Sequence, residues 1–450
     1  MSGWTLQFLM DSCHGEPKNL DPSASFQRVC SDTRKIESGD LFFALQGNNF
    51  NGNKFAAQAI EKGAVAVVID EPAPKLPALL VRDVRKSYGQ LASAHRKRFD
   101  LPFFAVAGSN GKTSCKEMLG AILREHFDTL HSEASFNNDV GVPATLLRLS
   151  SRHESAVLEL GTNHPGELAP LISMANPQYG ILTGIGREHL EFFGDLAGVA
   201  KEEGMLAELL PASGKLFLYG DGGWVKSMTQ RSSPPYVTVG FNPENDWRIS
   251  EVQIEEGLTR FMLDTPTAQL NGEYCTPLLG RHQAANASLA IAAASELGLS
   301  RTMIQNGLAK CPHPRQRLQW VQHRGINWLN DAYNANADSV KVALETLAQM
   351  PCTGRRYAVL GDMAELGEHA ESAHREAGVT ASGVVSGLVA VGQWAEVTAG
   401  AAREKGMENV EVVAGVKESV ELLREWLTPG DVVLLKASRE SKLEQIEELY

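Results

Sequence analysis

Residues 103–114 read FFAVAGSNGKTS, an apolar run that breaks into Gly-x-x-Gly-Lys-Thr. Phe103 to Ala107 have the composition of a buried strand, and Met118, Leu119, Ile122, Leu123 and Phe127 recur at helical spacing beyond the loop. Strand, glycine loop and helix in that order bring backbone N–H groups to a polyphosphate at the helix N-terminus, where the helix dipole also favours negative charge. On this reading Gly108, Ser109, Asn110, Gly111, Lys112, Thr113 and Ser114 cradle a nucleotide's phosphates. Lys112 reaches the β- and γ-phosphates and Thr113 ligates Mg²⁺. The loop is short, because Val106 stands where the full P-loop pattern has its first glycine. A nucleotide site is favoured over a glycine-rich turn with a solvated lysine, but the loop alone names no reaction.

Outward from that loop the chain alternates strands and helices. The 450 residues allow about three domains, and 43% hydrophobic with 21% charged residues is an ordinary globular balance. A net charge of −12 argues against nucleic acid as the main partner. Six scattered cysteines without a C-x-x-C pair suit reduced thiols in a cytoplasmic protein, and no run of 18 apolar residues suggests a membrane span.

Residues 1–100 form a first unit, with DLFFAL and AVAVVID as strands, an Ala-rich helix near 55–62 and another over 87–98. Residues 101–313 form the second, where SAVLELG and YGILTGIG continue a parallel sheet. Residues 314–450 form the third. There YAVLGDM, GLVAVG, VEVVAG and DVVLLKAS alternate with helices in a Rossmann-like order, without a dinucleotide fingerprint. The fold class expected is α/β in three domains, with a hinge near 311–317.

Three side chains look chemical. Glu159 lies in an apolar strand, where a carboxylate is costly unless a cation or several hydrogen bonds compensate it, and it is a Mg²⁺ candidate. His189 sits in the loop GREHLEFFG after a strand. Over 195–210, read as one helix, Glu203 falls in the middle of the apolar stripe while Lys201 points away, and such a buried acid needs a partner.

The segments SDTRKIESGDLFFALQGNNFNGNKF, AGSNGKTS, SFNNDVGVPATLL, LELGTNHPGEL, REHLEFFG, GRHQAANA, DAYNANADS, GDMAELGEHAESAH and KASRESKLE occur in an order that resembles the Mur ligase family over essentially the whole chain. FNNDVGVP, YNANADS and GDMAELG resemble the members that add D-alanyl-D-alanine, and the Asp-Asn-Pro-Arg tetrapeptide of the third-residue-adding sister does not occur. The resemblance implies an N-terminal UDP-substrate domain, a central P-loop ATPase-like domain and a C-terminal Rossmann-like ligase domain. It implies cytoplasmic peptidoglycan synthesis by a monomer: the carboxylate of UDP-N-acetylmuramoyl-tripeptide takes the γ-phosphoryl of ATP, and the amine of D-alanyl-D-alanine displaces phosphate from the acyl phosphate.

By the same resemblance Thr113 and Glu159 hold one Mg²⁺ and His189 a second, with Lys112 beside the transferred phosphoryl. Asn286, Arg317 and Asp331 match ATP-side positions. Ser31, Thr33, Arg34, Asn137 and Asn138 match regions facing the UDP-sugar, and Asn334 and Asn336 belong to the substrate side. Most members carry a carbamylated lysine where Glu203 stands here, so Glu203 is expected to supply a permanent carboxylate to the metal site. A second departure is Ala437 in KASR, where glycine is usual. The alternatives are another carboxylate:amine ligase of this architecture, such as a folylpolyglutamate-synthase-like enzyme, and a nucleotide-dependent switch without ligation.

Overall fold

All five residues of the strand Phe103–Ala107 are buried, as an unbroken apolar run requires of a strand covered on both faces. In the computed structural model, which describes residues 4–47, 50–255 and 257–450, this strand lies within a nine-stranded sheet. The strand order is Thr129–His131, Ser155–Glu159, Phe103–Ala107, Tyr179–Leu182, Lys215–Tyr219, Tyr236–Gly240, Trp247–Glu255, Leu258–Asp264 and Gly272–Thr276. The first seven strands are parallel and the last two join antiparallel. The helices Lys112–Leu123 and Arg281–Ser295 bury one face of the sheet, and Leu168–Ala175 packs on the other.

The glycine loop leaves the C-terminal end of Phe103–Ala107, so every parallel strand beside it also delivers its following loop to the same edge. That geometry brings residues after Glu159 and after Leu182 next to the phosphate loop.

Before the central sheet stands a five-stranded one, ordered Glu16–Lys18, Ala78–Leu80, Ala66–Ile69, Asp40–Phe43 and Arg28–Cys30. After it stands a six-stranded sheet, ordered Gln319–His323, Ile326–Asp331, Val432–Lys436, Arg356–Leu360, Gly387–Val391 and Val410–Val413. Its last five strands are parallel, and Gln319–His323 adds an antiparallel edge. The architecture is therefore α/β throughout.

Two local expectations are corrected. The helix expected over 87–98 runs Val84–Arg96, because Asp83 caps it by accepting the Lys86 N–H at 2.9 Å. The single helix expected over 195–210 is two, Leu196–Glu203 and Met205–Leu209. At the Gly204 junction the Arg231 guanidinium donates to the carbonyls of Ala200 at 2.7 Å and Lys201 at 2.8 Å. All six cysteines are unpaired, and none of the described helices is long and apolar enough to cross a membrane.

Candidate active site

Glycine is required twice in the phosphate loop. Gly108 has φ +115° and Gly111 φ +87°; a Cβ on the first would meet Thr183 Oγ1 at 2.5 Å, and on the second Asn286 Oδ1 at 2.5 Å. The loop thus wraps against the strand Tyr179–Leu182 and the helix Arg281–Ser295, and the helix Lys112–Leu123 starts at its end. A cavity of about 630 Å³ opens above it.

Lys112 Nζ donates to the carbonyls of Gly108 at 2.6 Å and Ser109 at 3.2 Å, and lies 3.4 Å from Glu188 Oε2. Burial works against its charge, but the surrounding carboxylates of Glu188, Glu203 and Glu159 outweigh it and hold the ammonium above its usual range. Across the cavity floor Glu159 Oε1 accepts from Asn137 Nδ2 at 2.9 Å. Its other oxygen has no protein partner, and neither does Oε1 of Glu188 or of Glu203.

Three buried carboxylate oxygens without donors, grouped around one lysine, form a deficit of positive charge. Glu159 and Glu188 line the cavity and so fit a hard divalent cation. Among the described residues, however, no three His, Cys, Asp or Glu side chains converge into a ready cage. A cation here would need further ligands, and Thr113, which also lines the cavity, would be one of them.

His189 has φ +48°, an uncommon conformation for a residue with a Cβ, and begins the short helix Leu190–Phe193. Its ring lines the cavity, with Nε2 4.0 Å from Glu188 Oε2 and Nδ1 paired with Glu365 of the C-terminal unit.

Glu203 is placed differently from expectation, for it does not line the cavity. It is 1% exposed, and its Oε2 accepts the Gly108 N–H at 2.7 Å. The side chain is shorter than a lysine carbamate, so from the same helix it reaches the back of the phosphate loop. Burial raises its pKa, with the nearby Lys112 ammonium opposing. Of its neighbours, Lys201 is exposed as expected, while Glu202 accepts the Gly166 and Leu168 N–H groups at the start of Leu168–Ala175.

The C-terminal unit supplies the opposite wall. Lys436 Nζ is 2.7 Å from Asp331 Oδ2 and donates to the Asn334 carbonyl at 2.6 Å. Burial lowers the Lys436 pKa and Asp331 opposes it. Arg317 lies over the Tyr333 ring at 4.3 Å. Asn336 caps the helix Ala337–Gln349 and donates to Asn110 Oδ1 of the phosphate loop at 3.0 Å.

The cavity therefore gathers Ser109 to Ser114, Asn137, Glu159, His189, Asn286, Arg317, Asp331, Asn334 and Asn336. It does not gather Gly108, Glu203, Asn138, Ser31, Thr33 or Arg34. Asn138 Oδ1 accepts the Val140 and Gly141 N–H groups where the chain enters the helix Gly141–Leu146. Ser31, Thr33 and Arg34 sit on the N-terminal unit, where Arg34 is paired with Asp32 at 2.8 Å. The sequence marks Glu188 only as a neighbour of His189 and Lys436 only as one of several polar residues near strand ends, and assigns neither a role in the site. The signal for both was position, one beside His189 and the other at the C-terminal end of an apolar strand.

Residues 25–96 match the description "Mur ligase family, catalytic domain", residues 106–294 "Mur ligase middle domain", and residues 316–439 "Mur ligase, glutamate ligase domain". The chain is 35% identical to the UDP-N-acetylmuramoyl-tripeptide–D-alanyl-D-alanine ligase of Escherichia coli K12, over 98% of this chain and 97% of that one. To the Bacillus subtilis protein of the same name it is 32% identical, over 93% and 92%. The crystal structure of MurF from Acinetobacter baumannii superposes with a TM-score of 0.91 at 30% identity, covering 99% of this chain and 98% of that one. MurF ligase from Thermotoga maritima in complex with ADP shares the fold, with a TM-score of 0.84 at 23% identity over 94% and 96%. The chain belongs to the Mur ligase family.

Proposed function

We propose that the chain is an ATP-dependent, ADP-forming ligase that joins D-alanyl-D-alanine to UDP-N-acetylmuramoyl-tripeptide in the cytoplasm, as a monomer of three domains spanning 1–100, 101–313 and 314–450. The observation that carries the reading is the single cavity in which Lys112 and Thr113 face Arg317, Asp331 and Lys436, with unpartnered oxygens of Glu159 and Glu188 between them. The similarity to UDP-N-acetylmuramoyl-tripeptide–D-alanyl-D-alanine ligases over nearly the full chain narrows the acceptor and the amine.

In this reading the phosphate-loop amides and Lys112 hold the ATP phosphates, and Arg317 and Asp331 hold the nucleoside end. The tripeptide carboxylate attacks the γ-phosphorus, the bond to the β-phosphate oxygen breaks, and ADP leaves. The dipeptide amine attacks the acyl carbon, and phosphate departs as the amine loses a proton. Lys112 neutralises charge that builds on the transferred phosphoryl, which is where most of the acceleration in such a step arises. Mg²⁺, when held by Thr113 and Glu159 with His189 near a second ion, supplies further charge neutralisation at the phosphates.

Asn137, which hydrogen-bonds Glu159, would face the UDP-sugar side together with Asn334 and Asn336. Ser31, Thr33, Arg34 and Asn138 would act at the uridine end, away from the reacting atoms. Glu203 would stand in for the carbamate as permanent negative charge beneath the loop. The direct test is mass spectrometry of products from UDP-N-acetylmuramoyl-tripeptide, ATP, Mg²⁺ and D-alanyl-D-alanine. A product extended by the dipeptide with one ADP per amide supports the reading; amide formed only with single amino acids or glutamate overturns it.

A further inference from the structure

Three stretches of chain meet where the central and C-terminal units face each other. Gly186 lies between the phosphate loop and the start of the helix Ala337–Gln349, and a Cβ there would come within 2.8 Å of Asp338 Oδ2 and 3.5 Å of Ser109 Cβ. Ser109 Oγ accepts the Gly186 N–H at 2.8 Å.

Arg187 closes this junction. Its backbone N–H donates to Asp338 Oδ2 at 2.7 Å and its Nε to Asp338 Oδ1 at 2.8 Å. The two terminal nitrogens reach Glu376 Oε2 at 2.6 Å and Oε1 at 3.1 Å. Both carboxylates belong to the C-terminal unit, whereas Arg187 directly precedes Glu188 and His189. Arg187 itself does not line the cavity.

An isolated surface ion pair contributes little, but this planar fork satisfies two carboxylates at once and its side chain is only 31% exposed. The hydrogen bond from Arg187 holds the Glu376 carboxyl below its usual range. A second strand of contact runs alongside, from Glu191 N–H to the Glu365 carbonyl at 3.1 Å and from His369 Nε2 to the Gly194 carbonyl at 3.0 Å.

We propose that Arg187 is a positioning residue that couples the seating of the C-terminal unit to the placement of Glu188, His189 and the phosphate loop. It rests on the ligase reading above. Gripping Asp338 and Glu376 pulls the segment after Tyr179–Leu182 against Ser109 and Asn110, so the ligation geometry is complete only in the docked arrangement. The residue acts through its neighbours and touches no substrate.

The test compares Arg187→Ala, Glu376→Gln, their combination, and the exchanged pair Arg187→Glu with Glu376→Arg in the full-length protein. Expected is a loss of about 10- to 100-fold in kcat for Arg187→Ala, a smaller loss for Glu376→Gln, and a combined variant no worse than Arg187→Ala alone. Small-angle scattering should show a larger radius of gyration for Arg187→Ala, and the exchanged pair should recover part of both properties. Activity of Arg187→Ala within twofold of the parent, an unchanged radius, or losses that multiply independently would overturn the coupling. If the parent forms no amide from the proposed substrates, the ligase reading fails, while scattering and thermal melts of the same four variants still decide whether Arg187 holds the two units together.

Discussion

The carboxylate of Glu203 accepts the Gly108 N–H at 2.7 Å, tying the first glycine of the phosphate loop to a helix 95 residues further along the chain. The contact backs the loop with a buried carboxyl group on the side away from the cavity.

On the proposed reading Glu203 is itself the carboxylate, and no CO₂ is needed to create it. Turnover, followed as ADP release, should be the same in bicarbonate-depleted and bicarbonate-supplemented buffer. Glu203→Ala strands the Gly108 N–H and should weaken ATP binding by about 1–3 kcal/mol, without rescue by bicarbonate. A strict CO₂ requirement, or a carbamate on Lys201 in intact-protein mass spectra, would refute this role.

Lys112 is the only cation within reach of Glu188 Oε2 among its described ion pairs other than His189. Lys112→Met should abolish measurable ligation and lower the melting temperature, since removing one member of a buried pair costs about 3–5 kcal/mol. Adding Glu188→Gln should return much of the stability and none of the activity. Thermal melts of the single and double variants check both halves.

Glu159 carries a buried oxygen with no protein donor. Glu159→Gln should therefore leave the melting temperature measured with EDTA unchanged or raised, yet cut kcat by about 100-fold and increase the Mg²⁺ required. A variant equally active at low Mg²⁺ would remove Glu159 from the cation site.

His95 is 2% exposed, lies tilted against the Trp4 ring, and bonds the Leu149 carbonyl at 3.0 Å. Burial lowers its pKa to about 4. The folded protein then binds fewer protons than the unfolded chain between that value and the ordinary histidine range. Its contribution is full above about pH 6.5 and is lost as pH falls toward 4, of the order of 3 kcal/mol. Urea melts across that range should show the slope, and His95→Gln should reduce it, leaving the share of other buried histidines such as His131 and His282.

The parallel strands and the phosphate loop were legible because their signals are local. Phe103–Ala107 is an apolar run followed by glycine, and Arg356–Leu360, Gly387–Val391 and Val432–Lys436 are short, mostly apolar runs bounded by turn residues, whereas the polar strands Gln319–His323 and Ile326–Asp331 gave no such signal. The orientation of Glu203 was legible too, since helical periodicity sets which side chains face inward. What it touches was not, because reach depends on how closely the helix Leu196–Glu203 approaches Gly108. The helix break at Gly204 also escaped, since the Arg231 guanidinium beside it comes from a separate segment.

The amino-acid order by itself determined the α/β class, the phosphate loop and the family, for these are written in adjacent residues and their spacing. Tertiary structure alone decided that Glu188 and Lys436 face the same cavity, that Glu203 stands behind the loop, and that Arg187 grips Asp338 and Glu376. Those relations join residues from about a hundred to about two hundred and fifty positions apart, and only the packing of sheets brings such groups to one place, within reach of charges and hydrogen bonds.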